Sequence, residues 1–109
     1  MRGRVVFLIR LKPDVSEEQF LEAYEGVRYE VAQGVKGHIL DQVCQSPEDP
    51  RNWLITSEWE RIEDFYEWEA TPEHRDQAKP MRDCMEEAKS YKYVVRAETG
   101  AEARQAAGS

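Results

Sequence analysis

The chain has 109 residues, with 15 Lys and Arg against 22 Asp and Glu, a net charge of −7 and two cysteines. This length supports one domain, because a compact chain of this size removes only about two thirds of its unfolded surface from water and has no room for a second core. The acidic balance and scattered basic residues exclude a nucleic-acid surface, which needs clustered Lys and Arg against phosphates. The longest apolar run, Val5 to Ile9, is far short of the roughly 20 residues a membrane helix needs. With no signal-peptide segment in view, a cytoplasmic protein that meets no membrane is expected. Cys44 and Cys84 lack a CxxC spacing and read as reduced thiols, not as a disulfide or metal site.

Along the chain, Arg4 to Leu11 sets Val5, Phe7, Ile9 and Leu11 on one face and Val6 and Leu8 on the other, the pattern of a strand covered on both sides. Ser16 followed by Gln19 is a capping box, with Glu17 and Glu18 suiting the positive end of a helix. Phe20, Ala23, Tyr24, Val27 and Val31 then recur at helical spacing up to Gly34. A second strand, His38 to Gln45, is expected to carry His38, Leu40, Gln42 and Cys44 on one face and Ile39, Asp41 and Val43 on the other. The turn Ser46 to Pro50 returns the chain into a third strand, Asn52 to Glu60, with Trp53, Ile55, Ser57 and Trp59 pointing one way. Ile62, Phe65, Tyr66 and Glu69 are spaced as a helix, which restarts at Thr71-Pro72. His74, Ala78, Met81, Met85 and Ala88 extend it as one buried stripe, with a break expected near Lys79 because Pro80 falls inside. Tyr91 to Arg96 alternates as a last strand, and residues 99–109 read as a flexible tail after a domain spanning 1–98.

Strand, helix, strand, strand, helix, strand is the α+β ferredoxin-like order, a four-stranded antiparallel sheet with its helices on one face. The other face keeps apolar and aromatic groups, a patch larger than monomers usually expose, so a homodimer closed over that face is expected.

The residues with chemical potential are few. His74 sits on an apolar stripe at a helix start, where a neutral imidazole could take a proton near pH 7; the same place suits a histidine bonded to a backbone group. Tyr24 lies on the stripe of the first helix and could turn its hydroxyl into a pocket, and His38 opens a strand beside two glycines. Trp53, Trp59, Phe65 and Trp68 would supply flat walls, as core aromatics or as a binding surface. No His/Asp/Glu cluster has metal-ligand spacing, no Gly-rich loop follows a strand, and no Ser or Cys sits in a nucleophile motif.

Asn52-Trp53-Leu54-Ile55-Thr56-Ser57-Glu58-Trp59-Glu60, then Glu63-Asp64-Phe65, Trp68 and Thr71-Pro72-Glu73-His74, resemble the antibiotic biosynthesis monooxygenase family, as does the helix-to-strand turn Gly34-Val35-Lys36-Gly37-His38. The resemblance implies a dimeric α/β barrel with a pocket between each subunit's sheet and helices. It also implies a monooxygenase of aromatic, polyketide-type phenols in antibiotic biosynthesis, with dioxygen as co-substrate and no cofactor, or with reduced flavin supplied from outside. On that footing His74 and Trp59 are the catalytic candidates, and Trp68, Phe65, Tyr24, Trp53 and His38 the substrate-binding ones, with no metal. The anthrone-oxidising branch has an Asn four residues before the strand-end Trp and a Tyr six after it; this chain has Ile55 and Phe65 there. The haem-degrading branch uses a strand-one Asn, which Arg4 to Leu11 lacks. A non-oxidative, polyketide cyclase-like or small-ligand-binding dimeric module, or the haem-degrading branch of the same fold, is the alternative.

Overall fold

The computed structural model describes residues 2–100. Its elements are β1 (Gly3–Leu11), α1 (Glu17–Ala32), β2 (His38–Gln45), β3 (Asn52–Trp59), α2 (Ile62–Glu69), α3 (Pro72–Asp83) and β4 (Met85–Val94). The strands form one sheet in the order β2-β3-β1-β4, every pair antiparallel, which is the α+β ferredoxin-like fold expected. The tail expected over residues 99–109 lies, beyond residue 100, outside the described residues.

Alternation decides which side of the sheet the helices cover. Val5, Ile9 and Leu11 of β1 and Trp53 and Trp59 of β3 are buried, and they pack on Phe20 and Val27 of α1, Phe65 of α2 and Met81 of α3. Each such side chain, removed from water, contributes about 1.5–3 kcal/mol. The opposite face of β1 is only half covered, with Leu8 46% exposed, so the two-sided burial read from the sequence is not completed within a single chain. At the entry to α1 the capping box is formed: Gln19 N donates to Ser16 Oγ at 3.1 Å and Ser16 N donates to Gln19 Oε1 at 2.7 Å. Between α1 and β2 the chain turns at Gly37, where φ is +77° and a Cβ would run into the buried Asp64 carboxylate, so only glycine fits.

Three sequence expectations are corrected. The helix that begins at Pro72 runs through Pro80 to Asp83 and ends there, with Cys84 as its C-cap. Met85 and Ala88 therefore belong to β4, opposite Leu11 and Ile9, and the last strand starts six residues earlier than Tyr91. Three residues apart, the two share the helix-side face of the strand because the β4–β1 register shifts opposite Arg10 and Leu11. The register of β2 against β3 shifts between His38 and Leu40, which moves His38 to the face of Asp41 and away from that of Leu40. Arg82 donates to the Arg75 carbonyl at 3.0 Å, while Glu86 lies on β4 beside Arg51.

Candidate active site

A cavity of about 570 Å³ opens between the sheet and all three helices, within the size range of small-molecule sites. Phe7, Ile9 and Ile55 form its sheet side, Tyr24 and Val27 come from α1, Phe65 and Trp68 from α2, and His74 and Met81 from α3. Its polar groups are sparse: the Tyr24 hydroxyl, the His74 imidazole, Asp41, Ser57, and Glu69, Arg75 and Arg82 on the helix side.

His74 is delivered by the cap of α3. Thr71 Oγ1 accepts from the His74 amide at 3.3 Å and donates to the Trp68 carbonyl at 2.7 Å, so one hydroxyl ties the end of α2 to the start of α3. The Trp68 and His74 rings stand 4.0 Å apart between centroids, tilted by 51°. On its far edge Trp68 donates Nε1–H to Glu30 Oε1 of α1 at 3.0 Å. Two buried atoms of this group, His74 Nδ1 and Glu30 Oε2, have no hydrogen-bond partner among the described residues. Burial pushes the His74 pKa below its ordinary 6.5, Arg82 adding to the effect, while Glu30, Glu69 and Asp41 pull the other way. The result is an imidazole that is neutral at pH 7. Burial, reinforced by Asp41, likewise raises the Tyr24 hydroxyl above its ordinary 10.0, so it stays a proton donor.

The structure brings together four of the residues singled out in the sequence, His74, Tyr24, Phe65 and Trp68, on one cavity. It sets the other three apart. Trp59 is fully buried behind that wall, its ring 5.5 Å from Phe65 and 5.4 Å from Trp68, and its Nε1–H donates to Ser57 Oγ at 2.9 Å. Trp59, a catalytic candidate from the sequence, has no exposed surface and does not line the cavity. Trp53 packs edge-on to Phe20 and donates to the Pro50 carbonyl at 2.9 Å, in the part of the core shared with Leu11. His38 does not line the cavity; it lies beside Asp41, which does.

Sequence reasoning missed Asp41, Ser57 and Glu30. For the first two a signal existed: alternation places Ser57 between Ile55 and Trp59, and Asp41 beside Val43, on faces otherwise apolar. Glu30 had none, because it is one acid among many on α1. Among the described residues no three His, Cys, Asp or Glu converge in a way that could hold a metal ion, and no helix is long and apolar enough to cross a membrane.

Sheet order and a ligand-sized cavity on the helix side define a ferredoxin-like domain built around a small-molecule pocket. The chain belongs to the antibiotic biosynthesis monooxygenase family, whose sequence profile matches residues 3–79. It is similar to a 42.8 kDa protein in the whiE locus of Streptomyces coelicolor, 43% identical over 98 residues, covering 90% of this chain and 24% of that protein. It is also similar to polyketide synthase CurD of Streptomyces cyaneus, 38% identical over 84 residues, covering 77% of this chain and 22% of that protein. The chain thus spans under a quarter of the length of these curated relatives. In fold it is similar to SnoaB, a cofactor-independent oxygenase from Streptomyces nogalater, with a TM-score of 0.78 at 11% identity, covering 89% of this chain and 95% of that one.

Proposed function

We propose that the cavity oxidises an electron-rich phenolic or hydroquinone ring of a polyketide-type aromatic with dioxygen, in antibiotic or related secondary metabolism. The observation that carries this reading is a neutral, half-buried histidine, His74, on the wall of a cavity lined by aromatic rings. Such an imidazole takes the phenolic proton, and in a low-dielectric pocket the resulting anion is a strong reductant. The anion passes one electron to dioxygen, and the ring radical and superoxide combine into a carbon-bound peroxide. Protonation of the peroxide by the imidazolium, and loss of water as the ring C–H carbon that bears it gives up its hydrogen, leave a carbonyl, with one oxygen atom in the product and one in water. Trp68 and Phe65 hold the ring flat, and the Tyr24 hydroxyl is placed to donate to the developing oxyanion. This chemistry draws its electrons from the substrate and calls for no resident cofactor. The similarity to SnoaB supports that economy. In the same reading the chain works in the cytoplasm as a homodimer.

A second reading is favoured by the name of CurD, a polyketide synthase. Here the pocket only orients a poly-β-keto chain for ring closure, and His74 is structural.

Oxygen uptake separates the two. Protein stripped of metal and flavin should consume dioxygen with an anthrone or hydroquinone, and His74→Ala should slow it about 10²-fold, the scale of a lost general base, with little change in melting temperature. No uptake across a panel of such rings, with and without added reduced flavin, overturns the oxygenase reading. A His74→Ala chain that keeps its turnover but melts much earlier assigns the histidine to structure.

A further inference from the structure

Residues three apart on a regular strand point to opposite faces of the sheet. His38 and Asp41 are three apart on β2, yet His38 Nε2 lies 3.0 Å from Asp41 Oδ1, and both side chains are only 11% exposed. The register explains it. His38 stands opposite Trp59 and Leu40 opposite Glu58, so β2 carries one more residue than β3 at this point, and the bulge turns His38 to the helix face. There its ring meets Trp59 edge-on, at 5.1 Å and 85°. A carboxylate can only accept, so Nε2 carries the hydrogen and His38 holds Asp41 by one oxygen. Asp41 lines the cavity directly opposite Ser57 in the strand pairing. Its charge reaches the ligand space from there, since both Tyr24 and His74 feel it.

A carboxylate on an aromatic-walled cavity is costly unless its acceptor capacity is used, and His38 engages one oxygen of Asp41. We propose that Asp41 is a substrate-binding residue that accepts a hydrogen bond from a ring hydroxyl other than the one His74 deprotonates, and that His38 is its positioning residue. The substrate class narrows accordingly to aromatics carrying at least two hydroxyls. This inference rests on the reading of the cavity as an aromatic-ring site, and it adds a requirement that reading does not contain.

The test is anaerobic binding, followed by quenching of tryptophan fluorescence, of 2,6-dihydroxynaphthalene and 2,6-dimethoxynaphthalene. Asp41→Asn keeps the shape and removes the charge. It should weaken the dihydroxy compound about tenfold, the scale of one hydrogen bond to a charged acceptor, and leave the dimethoxy compound within about twofold. His38→Phe keeps a ring against Trp59 and loses the donor; it should weaken the dihydroxy compound by a smaller factor, again selectively. Asp41→Asn binding that is unchanged for both compounds, or weakened equally for both, overturns the role of Asp41. The same pattern in His38→Phe overturns the positioning role. If neither compound binds the unaltered chain, the aromatic-ring reading itself falls and takes this inference with it.

Discussion

At His74 two influences on the imidazole proton oppose each other. Burial drives the proton off, while the carboxylate of Glu30 holds it on. Glu30→Gln should keep the hydrogen bond from Trp68, because a Gln carbonyl also accepts, and should remove the charge. The His74 pKa then falls further, and the acid limb of the pH–rate profile moves to lower pH with it. Titration of the His74 ring protons by NMR checks this, and an unmoved or raised value would sink it. The sign for stability follows from proton counting. With the folded pKa below 6.5, the unfolded chain binds more protons in the interval between the two values. His74 therefore costs stability as pH falls through that interval and costs none above it. Much of this site was legible, because His74, Tyr24, Phe65 and Trp68 all lie on stripes with a clear period. Asp41 and His38 were not joined, because a bulge defeats parity counting and leaves no mark in composition.

At the scale of elements, α3 carries its own internal cost. Pro80 has no N–H to give the helix, and the ring sits exposed on the surface. Replacing it with Ala restores the bond and gives up no buried contact. The penalty of about 3 kcal/mol for an interior proline, less about 0.4–1 kcal/mol for the stiffer unfolded chain, predicts that Pro80→Ala gains about 1–3 kcal/mol. Urea unfolding measures it, and a lower midpoint would contradict it. The strands β1, β2 and β3 were readable from the sequence because each carries an alternating apolar face bounded by turn residues. The boundary between α3 and β4 was not. Met85 and Ala88 are spaced for a helical stripe, a strand brings them to one face only through a register shift, and pairing with β1 decides between the two. The charged residues from Glu86 to Lys92 suit an exposed edge strand, a clue that a search for buried stripes passes over.

For the molecule as a whole, the sheet is a partition with different business on each side. Odd positions of β1 meet the helices and the cavity; even positions face outward. There Leu8 is 46% exposed, Leu40 44%, Tyr91 43% and Tyr93 56%. The homodimer proposed above would cover this face. Leu8 lies on the central strand β1, beside Leu54 of β3 and Lys89 of β4. Leu8→Glu should convert a dimer to a monomer in analytical ultracentrifugation with the sheet intact by circular dichroism. An unaltered chain that sediments as a monomer would rule the homodimer out.

The hydroxyl of Thr71 has a consequence for how such a pocket can be inherited. It clamps the His74 amide and the Trp68 carbonyl at the junction of two helices, so the imidazole is anchored before the exposed part of α3 begins. Arg75, Ala78 and Arg82 line the cavity beyond that anchor. Substitutions there can reshape what the pocket admits while leaving the His74 imidazole where it stands, so descendants can trade one ligand for another without moving it.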